Sequence, residues 1–197
     1  MNARVILASQ SAARQMLLRN AGIAFDAVPS DIDERAVQSA SGHSAPGVIA
    51  AHLARVKALD VSSRHAGRIV IGADQTLALG SRLFNKPDGR DGAATQLRAL
   101  SGATHELHSA VAVVRDGAVL FEHAAVARMT MRTLSEAEIA AYLDAAGDAV
   151  TRSVGAYQLE GLGVHLFERI DGDHFTILGL PLLPLLAFLR REGLLAF

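Results

Sequence analysis

Short unbroken apolar runs alternate with helix-like stretches through the first half of the chain. Val5–Ala8 predicts a buried strand. Ala12–Asn20, rich in Ala and Leu and closed by Gly22, predicts a helix with a glycine stop. Ile23–Val28 predicts a second strand, and Pro29–Asp33 an acidic turn. Gly42–Gly47 reads as a loop, with Ser44 as a cap and Pro46 in the first turn of a helix reaching about Ser62. Arg68–Ile71 predicts another buried strand, ending in Gly72-Ala73-Asp74, with Thr76–Leu79 extended beyond it. Gly80-Ser81 turns the chain, and the loop Lys86–Gly89 precedes a helix over Arg90–Leu100 that Ser101-Gly102 breaks. Asp116-Gly117 between Thr104–Arg115 and Ala118–Arg132 is a hairpin signal. Ser135-x-x-Glu138 is a capping box opening a helix to about Ala145. Gly155–Ile170 is glycine-punctuated and mixed, and Pro181–Glu192 predicts a last helix.

Alternation followed by a long hairpin predicts an α/β fold with a mixed twisted sheet and flanking helices. No Pro- or Ser-rich linker marks a boundary, so residues 1–197 are expected to form a single domain. Composition narrows the function classes. Hydrophobic residues are 50% and charged residues 20% of the 197, which excludes a disordered chain. The formal charge is −1, so binding to nucleic acid or acidic lipid by bulk attraction is not expected. With no cysteine there is no disulfide, thiolate catalysis or zinc–sulfur site. Val5–Ala8 is shorter than the ~7–15 residues of a signal-peptide core. Phe175–Leu189 contains Pro181 and Pro184 and falls short of the ~18 residues that suggest a membrane span. A cytoplasmic protein without a membrane partner is expected.

Four places carry candidate chemistry. Ser9-x-Ser11-x-x-Arg14 stands where a strand meets a helix; free N–H groups, two hydroxyls and a guanidinium there suit a phosphate, while the plainer reading makes Ser11 a cap and Arg14 solvated. Asp31-Ile32-Asp33-Glu34 can hold a hard cation or be a polar turn. Asp74 follows an apolar strand, at the strand end where α/β sheets bind ligands, and reads as a metal ligand, a general base or a turn residue. Lys57 shares a helix face with Ala50, Leu53 and Ala54, so it snorkels or meets an anion; Lys86 lies in the loop before Pro87. His105-Glu106-Leu107-His108 is no zinc pair, because a strand sends the two imidazoles to opposite faces. No dinucleotide, phosphate-loop or nucleophile-elbow motif is present.

The order of these pieces resembles the Maf (septum formation) family. Leu7-Ala8-Ser9-Gln10-Ser11-Ala12-Ala13-Arg14, Ser30–Glu34 and Leu53-Ala54-x-x-Lys57-Ala58 are similar to its first third. Gly72-Ala73-Asp74, Lys86-Pro87 and Leu100-Ser101-Gly102-x-Thr104-His105 are similar to its middle, and Gly155-Ala156-Tyr157-x-x-Glu160-Gly161 and Gly179–Leu182 to its end. The resemblance implies an inosine triphosphate pyrophosphatase-like fold with two lobes around a cleft. It implies hydrolysis of nucleoside triphosphates to monophosphate and diphosphate with a divalent cation, Mg2+ or Mn2+, and a homodimer in many members. By the same resemblance Ser9, Arg14, Lys57 and Lys86 contact phosphate, and the residue pattern adds the hydroxyl of Ser11 as a further donor. Asp74 is the proton acceptor, and Glu34, with Asp74, is the metal-binding acid.

Base preference is implied by three positions, Ala13, Gln75 and Glu160. Asp74-Gln75 and Glu160-Gly161 resemble the branch acting on 7-methyl-GTP, as does Leu166–Ile170. A carboxylate at Glu160 can accept from guanine's ring N–H and exocyclic amine. Ala13 departs from the larger residue of either branch. The alternatives are a dTTP- and UTP-preferring pyrophosphatase, and a nucleotide-binding regulator of septation with little catalysis.

Overall fold

The computed structural model describes residues 5–195. In chain order the elements are β1 (Val5–Leu7), α1 (Ala12–Asn20), β2 (Phe25–Ala27), α2 (Glu34–Ser41), α3 (Pro46–Ser62), β3 (Val70–Leu79) and β4 (Arg82–Phe84). There follow α4 (Gly89–Leu100), β5 (Thr104–Arg115), β6 (Ala118–Met131), α5 (Glu136–Ala146), β7 (Phe167–Asp171), α6 (His174–Ile177) and α7 (Leu182–Arg191). Three short 3₁₀ turns lie between α5 and β7. The strands form one seven-stranded sheet of order β2-β1-β3-β5-β6-β7, with β4 paired to β3. β1 is parallel to β2 and β3, whereas β4 is antiparallel to β3 and β7 to β6. This is the mixed α/β architecture that the apolar pattern predicts. No helix among the described residues is long and apolar enough to cross a membrane.

The chain divides into two compact units. One holds the residues up to Gln75, His108–Ala125 and His174 onward; the other holds Thr76–Leu107 and Val126–Asp173. Because β3, β5 and β6 each run through both, no single cut in the sequence separates them.

In the first unit the period of two along each strand sorts the core into two layers. Val5, Leu7, Ile69, Ile71, Ala73, Val111 and Val113 face one way and cluster with Leu17, Leu18, Leu185 and Phe188 of α1 and α7. Ile6, Ala8, Val70, Ala110, Ala112 and Val114 face the other way, against Ala50, Ala54, Ala58 and Val61 of α3. The alanine face of α3 lets its axis approach the sheet. Gly72 completes that approach: a Cβ there would drive into the Ala54 carbonyl and come within 2.9 Å of the Ala58 Cβ. In the second unit α4 packs on α5, and Leu97, Leu100, Ile139, Leu143 and Leu166 are buried.

Several elements differ from the expectation. Gly72-Ala73-Asp74 does not end a strand, because β3 continues to Leu79. Glycine stands at 72 to admit a helix backbone, and it need not bend the chain. α3 begins at Pro46 with Ala45 as its N-cap, and Ser44 makes no cap. The fixed φ of proline at N1 starts the helix without a side-chain acceptor. α2 is not anticipated: it is only eight residues long and buries none of them, and Asp33 caps it by accepting from the N–H groups of Arg35 and Ala36. At the hairpin tip Asp116 and Gly117 take φ of 50° and 77°, as the two-residue turn requires.

Candidate active site

β1 delivers Ser9 and Ser11 to the start of α1. Ser11 is the N-cap, and its Oγ accepts from the Arg14 N–H at 3.4 Å. The capping reading therefore holds for Ser11. It does not hold for a solvated Arg14. The Arg14 Nε donates to the Gly179 carbonyl at 2.8 Å, and Nη1 donates to the Ala73 carbonyl at 2.8 Å and to Ser9 Oγ at 3.3 Å. Ser9 Oγ also accepts from the Ser11 N–H at 3.2 Å. One guanidinium thus ties the β1–α1 junction to β3 and to the turn after α6. Its Nη2 makes no hydrogen bond among the described residues. Burial pulls the Arg14 guanidinium below its ordinary range, with Asp74 and Glu34 opposing that pull.

The alternation that points Val70 and Gly72 at α3 also turns Asp74 to that side. There Lys57 Nζ donates to Asp74 Oδ1 at 2.6 Å and meets Glu34 Oε1 at 2.8 Å. The side chains of Lys57 and Asp74 are each 8% exposed, that of Glu34 54%. Lys57 does not snorkel; it meets two anions. Burial pushes the Asp74 carboxyl above the usual carboxylate range, while the charges of Lys57 and Arg14 resist the shift.

Glu34, on the first turn of α2, is the one member of the acidic stretch that reaches this cluster. Asp33 is occupied as the cap of α2. Asp31 is exposed, and its N–H donates to Asp60 Oδ2 at 3.0 Å. Among the described residues no three His, Cys, Asp or Glu side chains gather as a metal site. Two carboxylates converging on one ammonium nevertheless fit Mg2+, which is usually held by one or two carboxylates with substrate phosphate oxygens and water. Glu34 and Asp74 are the residues that would hold such a cation.

On the opposite face of β3, Gln75 donates from Nε2 to Ser109 Oγ at 2.9 Å and to the carbonyls of Ile177 at 3.0 Å and Thr176 at 3.2 Å. Ala13, half-buried on α1, packs against the apolar core. Ser9, Ser11, Ala13, Arg14, Glu34, Lys57, Asp74 and Gln75 thus belong to one unit. Lys86 and Glu160 belong to the other, where each is exposed.

Sequence reasoning missed Ser109, Thr176 and Gly179. Ser109 is a fully buried hydroxyl within an apolar strand and Thr176 a fully buried one within an apolar run. A lone polar residue in such a run was the available signal. His105 is buried, with its Nε2 2.6 Å from the Tyr157 hydroxyl.

Comparison with known proteins gives a consistent result. Over 192 residues the chain is 69% identical to the nucleoside triphosphate pyrophosphatase of Rhodopseudomonas palustris, covering 98% of this chain and 95% of that one. It is 54% identical over 195 residues to the 7-methyl-GTP pyrophosphatase of Rhizobium etli, covering 98% of each. Among solved structures, a HAM1 protein from Coxiella burnetii aligns with a TM-score of 0.45 at 20% identity, over 65% of this chain and 72% of that one. The pattern of Maf-like proteins matches residues 4–192, which is nearly the whole chain, and the chain belongs to the Maf-like protein family.

Proposed function

We propose that this chain is a nucleoside triphosphate pyrophosphatase that splits the α–β phosphoanhydride to a monophosphate and diphosphate. The observation that carries the reading is Lys57, a buried ammonium shared by Asp74 and Glu34. The capped N-terminus of α1 and the anchored Arg14 lie in the same unit. The two relatives described above carry names of this class.

The chemistry follows from charge. Water attacks the α-phosphorus, the new P–O bond forms, the α–β bridging P–O bond breaks, and diphosphate leaves with the bonding pair. Negative charge grows on the leaving oxygens, where Lys57 and the free edge of Arg14 stabilise it. The N–H groups at the start of α1 and the hydroxyl of Ser9 hold phosphate oxygens in line. Asp74 takes the proton that the water gives up, and Lys57 holds that carboxylate in place. Glu34 and Asp74 would hold a divalent cation, which would supply charge neutralisation on the phosphate oxygens. Lys86 is a further cation for the phosphate tail.

The preferred substrate in this reading is 7-methyl-GTP or another modified nucleotide. The 54% identical relative bears that name, and Glu160 presents a carboxylate suited to guanine's N–H groups, more so when N7 methylation makes the base cationic. Ala13 adds no polar contact of its own. The test is a panel of 7-methyl-GTP, GTP, dTTP and UTP, assayed for diphosphate release with and without Mg2+. Fastest turnover of 7-methyl-GTP is expected. A faster rate on dTTP overturns the base choice, and no diphosphate from any nucleotide overturns the reaction. Asp74→Asn should abolish nearly all turnover, with rates normalised to the folded fraction; wild-type rates would remove Asp74 from the mechanism.

A further inference from the structure

Gln75 occupies one of the three positions read above as base-selecting, yet its amide nitrogen is committed elsewhere. Nε2 faces two main-chain carbonyls and a hydroxyl. Two carbonyl oxygens can only accept, so the nitrogen must face them. Ser109 Oγ accepts from Gln75 and donates its own hydrogen to the Thr176 carbonyl at 2.7 Å. That carbonyl also accepts from the Gly179 N–H at 3.1 Å. Ser109 and Thr176 have no solvent exposure.

Thr176 and Ile177 are the last residues of α6, a single helical turn whose final carbonyls have no partner within the helix. Gln75 and Ser109 supply donors for them. Two residues on, the Gly179 carbonyl accepts from Arg14 Nε. Gly179 has φ of +90°, and a Cβ there would come within 3.4 Å of the guanidinium and 3.6 Å of the Gln75 amide carbon. The same guanidinium reaches back to the Ala73 carbonyl, two residues before Gln75. The contacts therefore close a ring: Gln75 and Ser109 hold the end of α6, that end presents Gly179, Gly179 and Ala73 hold Arg14, and Ala73 leads into Asp74.

We propose that Gln75 and Ser109 are positioning residues that fix the turn after α6 as the seat for the phosphate-binding Arg14. The proposal rests on the pyrophosphatase reading above. An arginine aimed through two main-chain carbonyls is sensitive to their placement, because a shift of 1 Å in a catalytic constellation can lower a rate by about 100-fold.

Ser109→Ala, Ser109→Thr and Gln75→Glu test it, with each rate normalised to the folded fraction from thermal denaturation. Ser109→Ala should lower kcat about tenfold, the equilibrium worth of one hydrogen bond, and by a common factor on 7-methyl-GTP, GTP, dTTP and UTP. Ser109→Thr keeps a hydroxyl and should restore most of the rate. Gln75→Glu turns a carboxylate oxygen toward two carbonyls and should lower kcat more steeply. An unchanged kcat in both Ser109→Ala and Gln75→Glu would show a purely structural role and overturn the proposal. Calorimetric titration with diphosphate probes the seat without turnover, and Ser109→Ala should weaken that binding about tenfold. A wild-type chain that binds diphosphate in this way but hydrolyses no nucleotide would sink the pyrophosphatase reading and leave the seat standing. One that does neither would sink both.

Discussion

Lys57 touches two carboxylates at nearly equal distance, 2.6 Å to Asp74 and 2.8 Å to Glu34, and the energies of the two contacts should nonetheless differ several-fold. Distance does not separate them; burial does. Lys57 and Asp74 are each 8% exposed, so water cannot re-solvate either charge when its partner is removed. Breaking a buried pair by deleting one partner costs about 3–5 kcal/mol. Glu34 is 54% exposed and solvent screens it, so its contact is worth about 0–1 kcal/mol. Lys57→Met should therefore destabilise the fold by about 3 kcal/mol or more. Glu34→Gln should cost less than about 1 kcal/mol, although it lowers turnover if Glu34 holds the cation. Lys57→Met combined with Asp74→Asn leaves no charge of the buried pair and should recover much of the loss. Urea denaturation of the wild type, the single variants and this double variant gives the cycle. Additive losses for Lys57→Met and Asp74→Asn, or a Glu34→Gln cost equal to that of Lys57→Met, would refute the argument from burial.

Two further outcomes follow from other sites. Gly72→Ala would push a methyl into the Ala54 carbonyl and against Ala58, both on α3. It should lower stability by about 1–3 kcal/mol and lower turnover as well, since α3 carries Lys57; an unchanged melting temperature would contradict the close approach. Burial holds the His105 imidazole down at about 4, against an ordinary value of 6.5. The unfolded chain then binds the proton first as pH falls, so stability is complete above 6.5, declines below it and levels off only beneath about 4. The loss amounts to about 3 kcal/mol. His105→Gln should remove that part of the acid sensitivity in urea midpoints measured at pH 7 and pH 4. An equal acid slope in the two proteins would exclude His105 as its source.

Local order was legible in the sequence wherever one short stretch contained its own cause. The apolar period places β1 and β3, Asp116-Gly117 closes the hairpin, and Ser135 with Glu138 caps α5 in the box the spacing predicts. Ser9, Arg14, Lys57 and Asp74 could be singled out because each is a polar group set against apolar neighbours. Whether Lys57 snorkels or pairs, and whether Arg14 is solvated, were not decided locally. Those outcomes depend on contacts 17 residues apart for Lys57 with Asp74, and 59 and 165 residues apart for Arg14 with Ala73 and Gly179. α2 was silent because it is only eight residues long and contributes no side chain to the core. Gly72 looked like punctuation and is a point of contact, a difference that exists only once α3 lies against β3. The sequence by itself determined which segments bury which faces, because hydrophobic period is a local property. Only the tertiary structure decided which charge neutralises which, because a buried ion pair forms between groups that packing, and not adjacency, brings together.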